Sequence, residues 1–396
     1  MRPGPDGDPF RVVIDPGSHH VLNLGDVAML QVALDRLGEL WPDAHLDVLT
    51  TDPDALARHC PRARPLPAAG RYELVGAAGP PGDAARAYLE ALEAADLLVV
   101  AGRGGVCDAF LGESLEILDE LEAALSRGTP VALVGHGIGP VRDAALAARA
   151  ASVLPRASLV AVRERRIAVP LLERLGVAPE RIVVTGDDAI EPAWAARPAE
   201  RSPTGIGLSL RATAYTGLAE AELAAVERAV RAAAARHRSE VVPVPISLYP
   251  SDAEAETVAR VAGAAAAGRD AEAETASEPP AAEPRTVEAA IAAAGRCRVV
   301  VAGSYHAAVF ALAQGVPAVG IAGSPYYSAK LLGLREQVGG RMDVEPAGGR
   351  MLEERLGTAI DAAWDMPAGE REELVEAAER QVAAGRAAYE RLASAL

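Results

Sequence analysis

The sequence predicts an α/β fold with two domains, each built on a parallel sheet that helices cover. Short apolar runs without polar alternation, such as residues 97–101 and 299–302, alternate with longer helical patterns along the 396-residue chain. Strands that are buried on both faces of a parallel sheet have this continuous apolar character, and helices connect them. The alternation pauses at a stretch rich in Pro and Ala over residues 191–203. We therefore predict a first domain at residues 1–195 and a second at residues 203–396.

The predicted elements follow in chain order. In the first domain, short apolar runs predict strands at residues 11–15, 46–50, 97–101, 130–134, 159–162 and 182–184. A Pro- and Gly-rich stretch at 61–81 predicts a loop, with one weak strand at 72–75. In the second domain, strands are predicted at residues 205–210, 240–244, 299–302 and 318–322. Helices are predicted there at residues 218–236, 286–294, 307–314 and, at the C-terminus, 370–396. A low-complexity insertion without chemistry is predicted at residues 263–284.

Composition excludes several classes of partner. The formal net charge is −16 and the pI is near 5.0, which argues against nucleic acid or an anionic membrane as the main partner. The chain has no apolar run of about 18 residues and no signal-peptide pattern, so we expect a cytoplasmic protein without a membrane span. The oligomeric state stays open.

Motif searches exclude some chemistries. The cysteines at positions 60, 107 and 297 are far apart and outside CxxC spacing, so neither a disulfide framework nor a zinc cluster is predicted. His19 and His20 are adjacent but lack a carboxylate at metal-ligand spacing. The chain has no GxSxG elbow and no GxxxxGK[ST] loop, which excludes serine hydrolases and P-loop NTPases of those types. We expect neither a metal nor a cofactor.

Polar side chains follow two strands of the second domain, at the edge where the carboxyl ends of parallel strands meet and ligands bind. The loop after residues 299–302 and the loop after residues 318–322 carry, respectively, Ser304, Tyr305 and His306, and Tyr326, Tyr327 and Lys330. His306 is a candidate proton donor or acceptor near neutral pH. The alternative is that His306 is a hydrogen-bonded structural residue.

Strand ends of the first domain carry similar groups. The candidates for substrate binding are Asn23, Gly25, Gly104, Gly105, His136 and Arg163, together with Asp26 as a catalytic candidate. Glycines allow the backbone to approach a ligand closely, and a strand-to-helix turn offers N–H groups to an anion. For Asp26 alone, the alternative is that it only caps the helix that follows.

Lys330 is the only lysine in the chain, although lysine and arginine together number 39. A flexible ammonium group contacts an anion differently from a planar guanidinium group. We therefore regard Lys330 as a candidate for a specific ligand contact, the alternative being a chance exception to an arginine bias.

Six segments match, in order, the motif series of a known family. They read NLGD from Asn23, AGRGGVCD from Ala101, GHGIGP from Gly135, VRER from Val162, TGDDA from Thr185 and YHAAVFALAQGVPAVGI from Tyr305. In this order they resemble the polysaccharide pyruvyl transferase family over almost the whole chain, except for the insertion. The resemblance implies two Rossmann-like domains, like those of the B-type glycosyltransferases, with the active site in the cleft between them. It also implies that phosphoenolpyruvate gives its enolpyruvyl carbon to sugar hydroxyls, which forms a pyruvate ketal and releases phosphate.

Such a reaction assigns roles to named residues. An acid must protonate the methylene carbon, and cations must hold the carboxylate and the phosphate. His306 suits the first task, whereas Arg163 and Lys330 suit the second. Asp26 would orient or deprotonate the acceptor hydroxyl. The expected partners are phosphoenolpyruvate and a sugar-containing acceptor.

One departure from the family pattern keeps other functions open. Family members commonly have an Arg-Leu pair before the histidine, where this chain has Ser304 and Tyr305. The missing arginine would have bound the phosphoenolpyruvate anion. One alternative is a glycosyltransferase-like enzyme with a nucleotide-activated donor, and another is a non-catalytic member that binds a glycan.

Overall fold

The computed structural model describes residues 9–76, 80–198, 203–211, 216–252, 254–270, 285–349 and 351–396. The chain divides into two compact units. The first comprises Met1–Val21, Asp26–Asp188 and Gln381–Leu396, and the second comprises Leu22–Gly25 and Ala189–Arg380. A four-residue segment of the second unit thus interrupts the first.

Within the described residues, seven parallel strands form the sheet of the first unit. They are β1 (Arg11–Asp15), β2 (His45–Thr50), β3 (Arg64–Pro67), β4 (Leu97–Val100), β5 (Val131–His136), β6 (Leu159–Val162) and β7 (Ile182–Val184). Across the sheet the order is β3-β2-β1-β4-β5-β6-β7. The helices that accompany the strands are α1 (Leu24–Leu40), α2 (Pro53–His59), α3 (Ala69–Gly76), α4 (Asp83–Glu93), α5 (Leu111–Leu125), α6 (Ala144–Val153) and α7 (Ala168–Arg174).

The described part of the second unit holds a five-stranded parallel sheet. Its strands are β8 (Gly205–Ser209), β9 (Val241–Pro243), β10 (Cys297–Ala302), β11 (Ala318–Ala322) and β12 (Asp343–Pro346). Across the sheet the order is β12-β11-β10-β8-β9. The helices from here to the C-terminus are α8 (Ile190–Ala195), α9 (Glu220–Arg236), α10 (Glu254–Asp270), α11 (Val287–Gly295), α12 (Tyr305–Ala313), α13 (Pro325–Gln337), α14 (Leu352–Trp364) and α15 (Ala368–Ala395).

The strand order reverses once in each sheet. In the first unit the connections run outward from β1 to β2 and β3, and the chain then returns to place β4 on the other side of β1. In the second unit they run from β8 to β9 and return to place β10 on the other side of β8. Ligands of open α/β sheets bind beyond the carboxyl ends of the strands at such a reversal. The topology therefore favours a site at the segments that follow β1 and β4, and at those that follow β8 and β10.

Most predicted strands are confirmed, and β1, β6, β7 and β11 have the predicted bounds. The prediction of a weak strand at residues 72–75 is wrong, because these residues belong to α3. The edge strand β3 lies instead in the predicted loop. It carries Pro65 and Pro67, which an edge strand tolerates because one of its sides makes no ladder hydrogen bonds.

The predicted loop after β11 is also a helix. Ser324 caps α13, because its hydroxyl accepts a hydrogen bond from the N–H of Tyr327 at 3.2 Å. Pro325 occupies the first helical position, where its missing N–H costs nothing. Tyr326, Tyr327 and Lys330 therefore lie on a helix and not in a loop.

Three other boundaries differ from the prediction or fall outside the described residues. The stretch predicted as a linker contains α8 as far as Ala195, and residues 199–202 lie outside the described part. Helix α10 extends into the predicted insertion as far as Asp270, and residues 271–284 are not described. The predicted second domain includes the whole of α15, whereas the residues of this helix from Gln381 onward belong to the first unit.

Candidate functional site

The carboxyl end of β10 leads directly into α12, where three predicted residues lie. Ser304 has an extended backbone before the helix, and Tyr305 and His306 are its first two residues. All three side chains are more than nine-tenths buried. Because a helix carries positive partial charge at its N-terminus, the histidine lies at the positive end of α12.

Gly25 packs directly against the ring of His306. A Cβ atom at residue 25 would lie 1.9 Å from Nδ1 of His306, so a larger residue requires the ring to move. The N–H of Gly25 donates to Oδ1 of Asn23 at 3.0 Å, and Asn23 forms an antiparallel bridge with Ser247. The backbone of Gly25 thus lies beside the predicted catalytic histidine, and the side chain of Asn23 hydrogen-bonds to that backbone.

A buried carboxylate fixes the backbone segment that pairs with residues 23 and 24. Glu254 accepts hydrogen bonds from the N–H groups of Ile246 at 3.2 Å and Ser247 at 2.8 Å. The N–H of Leu24 in turn donates to the carbonyl of Ile246 at 2.9 Å. Burial raises the pKa of Glu254, although its hydrogen bonds oppose the shift. The sequence pattern did not single out Glu254, because it opens a helix that runs into an Ala- and Glu-rich stretch.

The ammonium group of Lys330 lies among three tyrosine rings. Its Nζ is 4.4 Å from the ring centre of Tyr305, 5.8 Å from that of Tyr326 and 5.9 Å from that of Tyr327. Aromatic rings attract a cation at these distances. The ring of Tyr305 also meets that of His306 edge-on, with 5.4 Å between their centres. The second unit therefore brings these five predicted residues into one cluster.

In the first unit, Asp26 lies where β1 and β4 end. A Cβ atom at Gly17 would lie 3.1 Å from Cγ of Asp26 and 3.2 Å from Cβ of Arg103. Asp26 also falls in the first turn of α1, where a carboxylate interacts favourably with the helix dipole. Both interpretations of Asp26 are compatible with this position. Arg103, which the sequence analysis did not select, lies beside it.

His136 ends β5 and is fully buried. Its Nδ1 lies 3.1 Å from the carbonyl oxygen of Arg103. A Cβ atom at Gly105 would lie 2.6 Å from Cε1 of His136, and the neighbouring Gly104 is partly exposed. Burial lowers the pKa of His136 to about 3, and the charges of Arg103 and Arg163 act in the same direction. His136 is therefore neutral at physiological pH.

Arg163 follows β6 and is 2% exposed. A Cβ atom at Gly137 would lie 2.3 Å from Nη2 of Arg163, so the guanidinium lies against this backbone. Nη1 forms an ion pair of 3.4 Å with Asp187. The backbone N–H of Arg163 donates to the carbonyl of His136 at 3.0 Å. The first unit thus brings Gly105, His136 and Arg163 to one edge of its sheet.

A buried network of charges lies at the end of β1 and was not predicted. Oδ1 of Asp15 is 2.6 Å from Nε2 of His19, and Oδ2 is 3.2 Å from Nε of Arg71. Arg71 also pairs with Glu120 at 2.7 Å, and the hydroxyl of Tyr88 donates to Glu120. Asp15 and Glu120 are fully buried, and Arg71 is 2% exposed. The network joins β1, α3, α4 and α5.

One signal for this network was available in the sequence. Glu120 has the helical spacing of Ile117, Leu121 and Ala124, which form the buried face of α5. An acid on an apolar helix face requires a buried partner. Its partner Arg71 had no such signal, because it lies in a stretch predicted as a loop.

The charges of the network determine which carboxylate is ionised. Burial raises the pKa of Asp15, but the charges of Arg71 and His19 outweigh this effect and hold it well below its usual range. Burial raises the pKa of Glu120 to about 8, and the charge of Asp15 adds to the shift. At neutral pH, Asp15 is therefore ionised and Glu120 is mostly protonated.

In the described part of the chain, no group of three or more His, Cys, Asp or Glu side chains is placed to hold a metal ion. None of the helices there is both long and apolar enough to cross a bilayer.

We expect Gly25→Ala to displace the ring of His306. The added methyl group would overlap the ring, and overpacking of this kind costs about 1–3 kcal/mol of unfolding free energy. Urea unfolding and the NMR signals of the His306 ring measure the two effects. Gly112→Ala is the control, because a Cβ atom there meets nothing within 4 Å. If Gly25→Ala is equally costly when His306 is already alanine, the ring contact is not the cause.

We expect Glu120→Gln to remove a pH dependence of stability. A carboxyl group with a folded-state pKa of about 8 stabilises the fold below its unfolded pKa, and this contribution is lost as the pH rises towards 8. Between about pH 5 and 8, the unfolding free energy of the wild type should therefore fall faster than that of the variant, by up to about 1.4 kcal/mol per pH unit. Urea unfolding across this range checks the difference. Equal slopes would show that Glu120 is ionised in the fold.

Solved structures with the same fold are known at low sequence identity. The UDP-GlcNAc 2-epimerase from Neisseria meningitidis bound to UDP-GlcNAc aligns with a TM-score of 0.59 and 9% identity, over 97% of this chain and 99% of that chain. The UDP-GlcNAc 2-epimerase from Methanocaldococcus jannaschii aligns with a TM-score of 0.56 and 12% identity, over 91% and 93%. A glycosyltransferase from Rickettsia africae aligns with a TM-score of 0.52 and 12% identity, over 98% and 96%. The predicted fold, like that of the B-type glycosyltransferases, is confirmed.

The sequence itself matches one family. No functionally curated protein matches the chain. The family model for polysaccharide pyruvyl transferases, in contrast, matches residues 23–325. This range begins at Asn23, includes His306 and ends at Pro325. Because the match covers most of the chain, the protein is a transferase that belongs to the polysaccharide pyruvyl transferase family.

Proposed function

We propose that the protein transfers the enolpyruvyl group of phosphoenolpyruvate to hydroxyls of a sugar-containing acceptor, forming a pyruvate ketal and releasing phosphate. Family membership supports this reaction class. The observation that carries the proposal is the cluster at the start of α12, where His306 and Lys330 both contact the ring of Tyr305. A group that can donate a proton and a cation that can hold an anion therefore belong to one cluster.

The proposed reaction begins when His306 donates a proton to the methylene carbon of phosphoenolpyruvate. The adjacent carbon becomes cationic, and one acceptor hydroxyl attacks it. We assign to Asp26 the role of orienting or deprotonating that hydroxyl. Loss of phosphate lets a second hydroxyl attack the same carbon and close the ketal. Phosphoenolpyruvate and a diol thus give the ketal and phosphate without a further reactant.

Ser304 cannot supply the positive charge of the family's arginine. We assign that role to Lys330. The three tyrosine rings restrict the ammonium group, so less conformational entropy is lost when it contacts an anion. The positive partial charge at the N-terminus of α12 also attracts an anion near His306. Arg163 is the second cation of the proposal, and its burial against Gly137 makes it equally restricted. The carboxylate and phosphate of phosphoenolpyruvate are the anionic groups that these cations would hold.

A nucleotide-activated donor is the second candidate. The observation that favours it is the shared fold with the Neisseria meningitidis epimerase bound to UDP-GlcNAc. In that case Ser304 replaces the family's arginine because the donor has changed. Glycan binding without turnover is the third candidate.

We expect phosphoenolpyruvate to raise the melting temperature of the wild type, whereas UDP and GDP should not, because a ligand that binds only the folded state stabilises it. A phosphate-release assay with sugar acceptors then measures turnover. We expect His306→Gln to reduce turnover about 10²–10⁴-fold, since it removes the proposed acid, and to leave the circular dichroism spectrum unchanged. Stabilisation by UDP or GDP alone would contradict the proposal. A variant that loses folding together with activity would favour the structural interpretation of His306.

We expect Lys330→Arg to weaken phosphoenolpyruvate binding about tenfold to a hundredfold. The substitution keeps the charge but replaces a compact ammonium among the three rings with a wider planar group, and one charge-assisted contact is worth about 1.5–3 kcal/mol. Arg335→Lys is the control, because Arg335 lies exposed on the same helix. Titration calorimetry should show no change for the control.

Ser304→Arg distinguishes a change of donor from compensation for the missing arginine by Lys330. If the wild type does not bind phosphoenolpyruvate and Ser304→Arg does, the natural protein uses another donor. Binding by the wild type that depends on Lys330 supports compensation.

A further inference from the structure

Two loops of the first unit meet beyond β4 and β5. The N–H of Gly137 donates to the carbonyl of Arg103 at 2.9 Å, and the N–H of Gly139 donates to the carbonyl of Val106 at 2.8 Å. These bonds fix the Arg103 backbone against the end of β5. His136, the last residue of that strand, therefore has a fixed hydrogen-bond partner for one of its two ring nitrogens.

The tautomer of His136 follows from that partner. A carbonyl oxygen only accepts hydrogen bonds, so Nδ1 carries the proton in the 3.1 Å contact with Arg103. In the neutral ring, Nε2 then has a lone pair and can only accept. Nε2 is buried and has no hydrogen-bond partner among the described residues. A buried acceptor without a partner is costly, which points to a ligand that donates a hydrogen bond.

The surroundings of this acceptor are positively charged. The charges of Arg103 and Arg163 both act on His136, with Asp15 as the opposing carboxylate. Nη1 of Arg103 is also buried and has no hydrogen-bond partner in the described ranges, although it lies 3.8 Å from Asp15. Nη2 of Arg103 donates to Glu113 at 3.0 Å. The site therefore offers guanidinium N–H donors to an anion, and Nε2 of His136 can accept one hydrogen bond from a ligand.

We propose that Arg103, His136 and Arg163 bind a phosphate group that retains one proton. Its P–O–H would donate to Nε2 of His136, and its charged oxygens would face the two guanidinium groups. A phosphate ester has a second pKa of about 6, so near neutral pH it still carries a proton in part of the population. Carboxylate and sulfate are fully ionised there and have no proton to donate. The pair of cations and the single acceptor therefore select phosphate among the common oxyanions.

The loop that carries Arg103 is the side from which the anion would enter. The side chain of Arg103 is 13% exposed, and Gly104 is partly exposed as well. Gly105 leaves space for the ring of His136, because a Cβ atom there would lie 3.3 Å from Nε2. The assignment of this site to the phosphate group that the reaction releases from phosphoenolpyruvate rests on the proposed function. Binding of inorganic phosphate does not depend on turnover.

Titration calorimetry near neutral pH, at constant ionic strength, compares inorganic phosphate with sulfate on the full chain. We expect the wild type to bind phosphate at least about tenfold more tightly than sulfate, since one additional hydrogen bond is worth a factor of this size. Arg103→Gln should weaken both anions by about tenfold or more. Arg142→Gln is the control, because Arg142 is exposed beyond β5, and it should change neither.

His136→Asn tests the acceptor itself. The amide of asparagine can keep the hydrogen bond of Nδ1 to Arg103 while Nε2 is lost, so we expect the preference for phosphate over sulfate to fall to within about threefold. Equal binding of both anions by the wild type, absence of phosphate binding, or an unchanged preference in His136→Asn would each overturn the proposal. If His136→Asn does not fold, the comparison of the two anions on the wild type decides alone. Phosphate binding without ketal formation would contradict only the proposed function.

Discussion

A buried, ionised carboxylate needs cations around it. In the first unit, Asp15 is such a carboxylate. Two segments that are distant in sequence supply the cations, since α3 provides Arg71 and the loop after β4 provides Arg103, while His19 in the turn after β1 lies 2.6 Å from the same carboxylate. Removing one member of such a network leaves another charge buried without compensation. The position of the loop after β4, and with it the carbonyl that orients His136, therefore depends on the charge of Asp15.

The second unit brings its candidate residues into close steric contact. Gly25 and the ring of His306 leave no space between them, and the ring also meets that of Tyr305 edge-on. The ammonium group of Lys330 lies among the rings of three tyrosines. An aromatic ring attracts the ammonium group without placing a negative charge where an anionic ligand would bind.

The sequence predicted most strands because parallel strands buried on both faces must be apolar throughout. It also predicted where the candidate residues lie, since the carboxyl ends of such strands share one edge. It could not predict pairings that depend on the tertiary fold. Arg71 and Glu120 are 49 residues apart, and Gly25 meets His306 across most of the chain. The start of α13 was missed although Ser324 and Pro325 form a known helix-start pair, because the apolar pattern after them is weak.

The single lysine makes this protein a one-site target for amine chemistry. Reagents that acylate primary amines have one lysine side chain to modify in this sequence. Because the ring of Tyr305 lies 4.4 Å from Nζ, the rate of acylation depends on whether the tyrosines or a bound anion shield the nitrogen. After proteolysis, the mass of the peptide that carries Lys330 then reports whether the cluster around this residue is occupied, without a substituted residue and without an assay of the reaction.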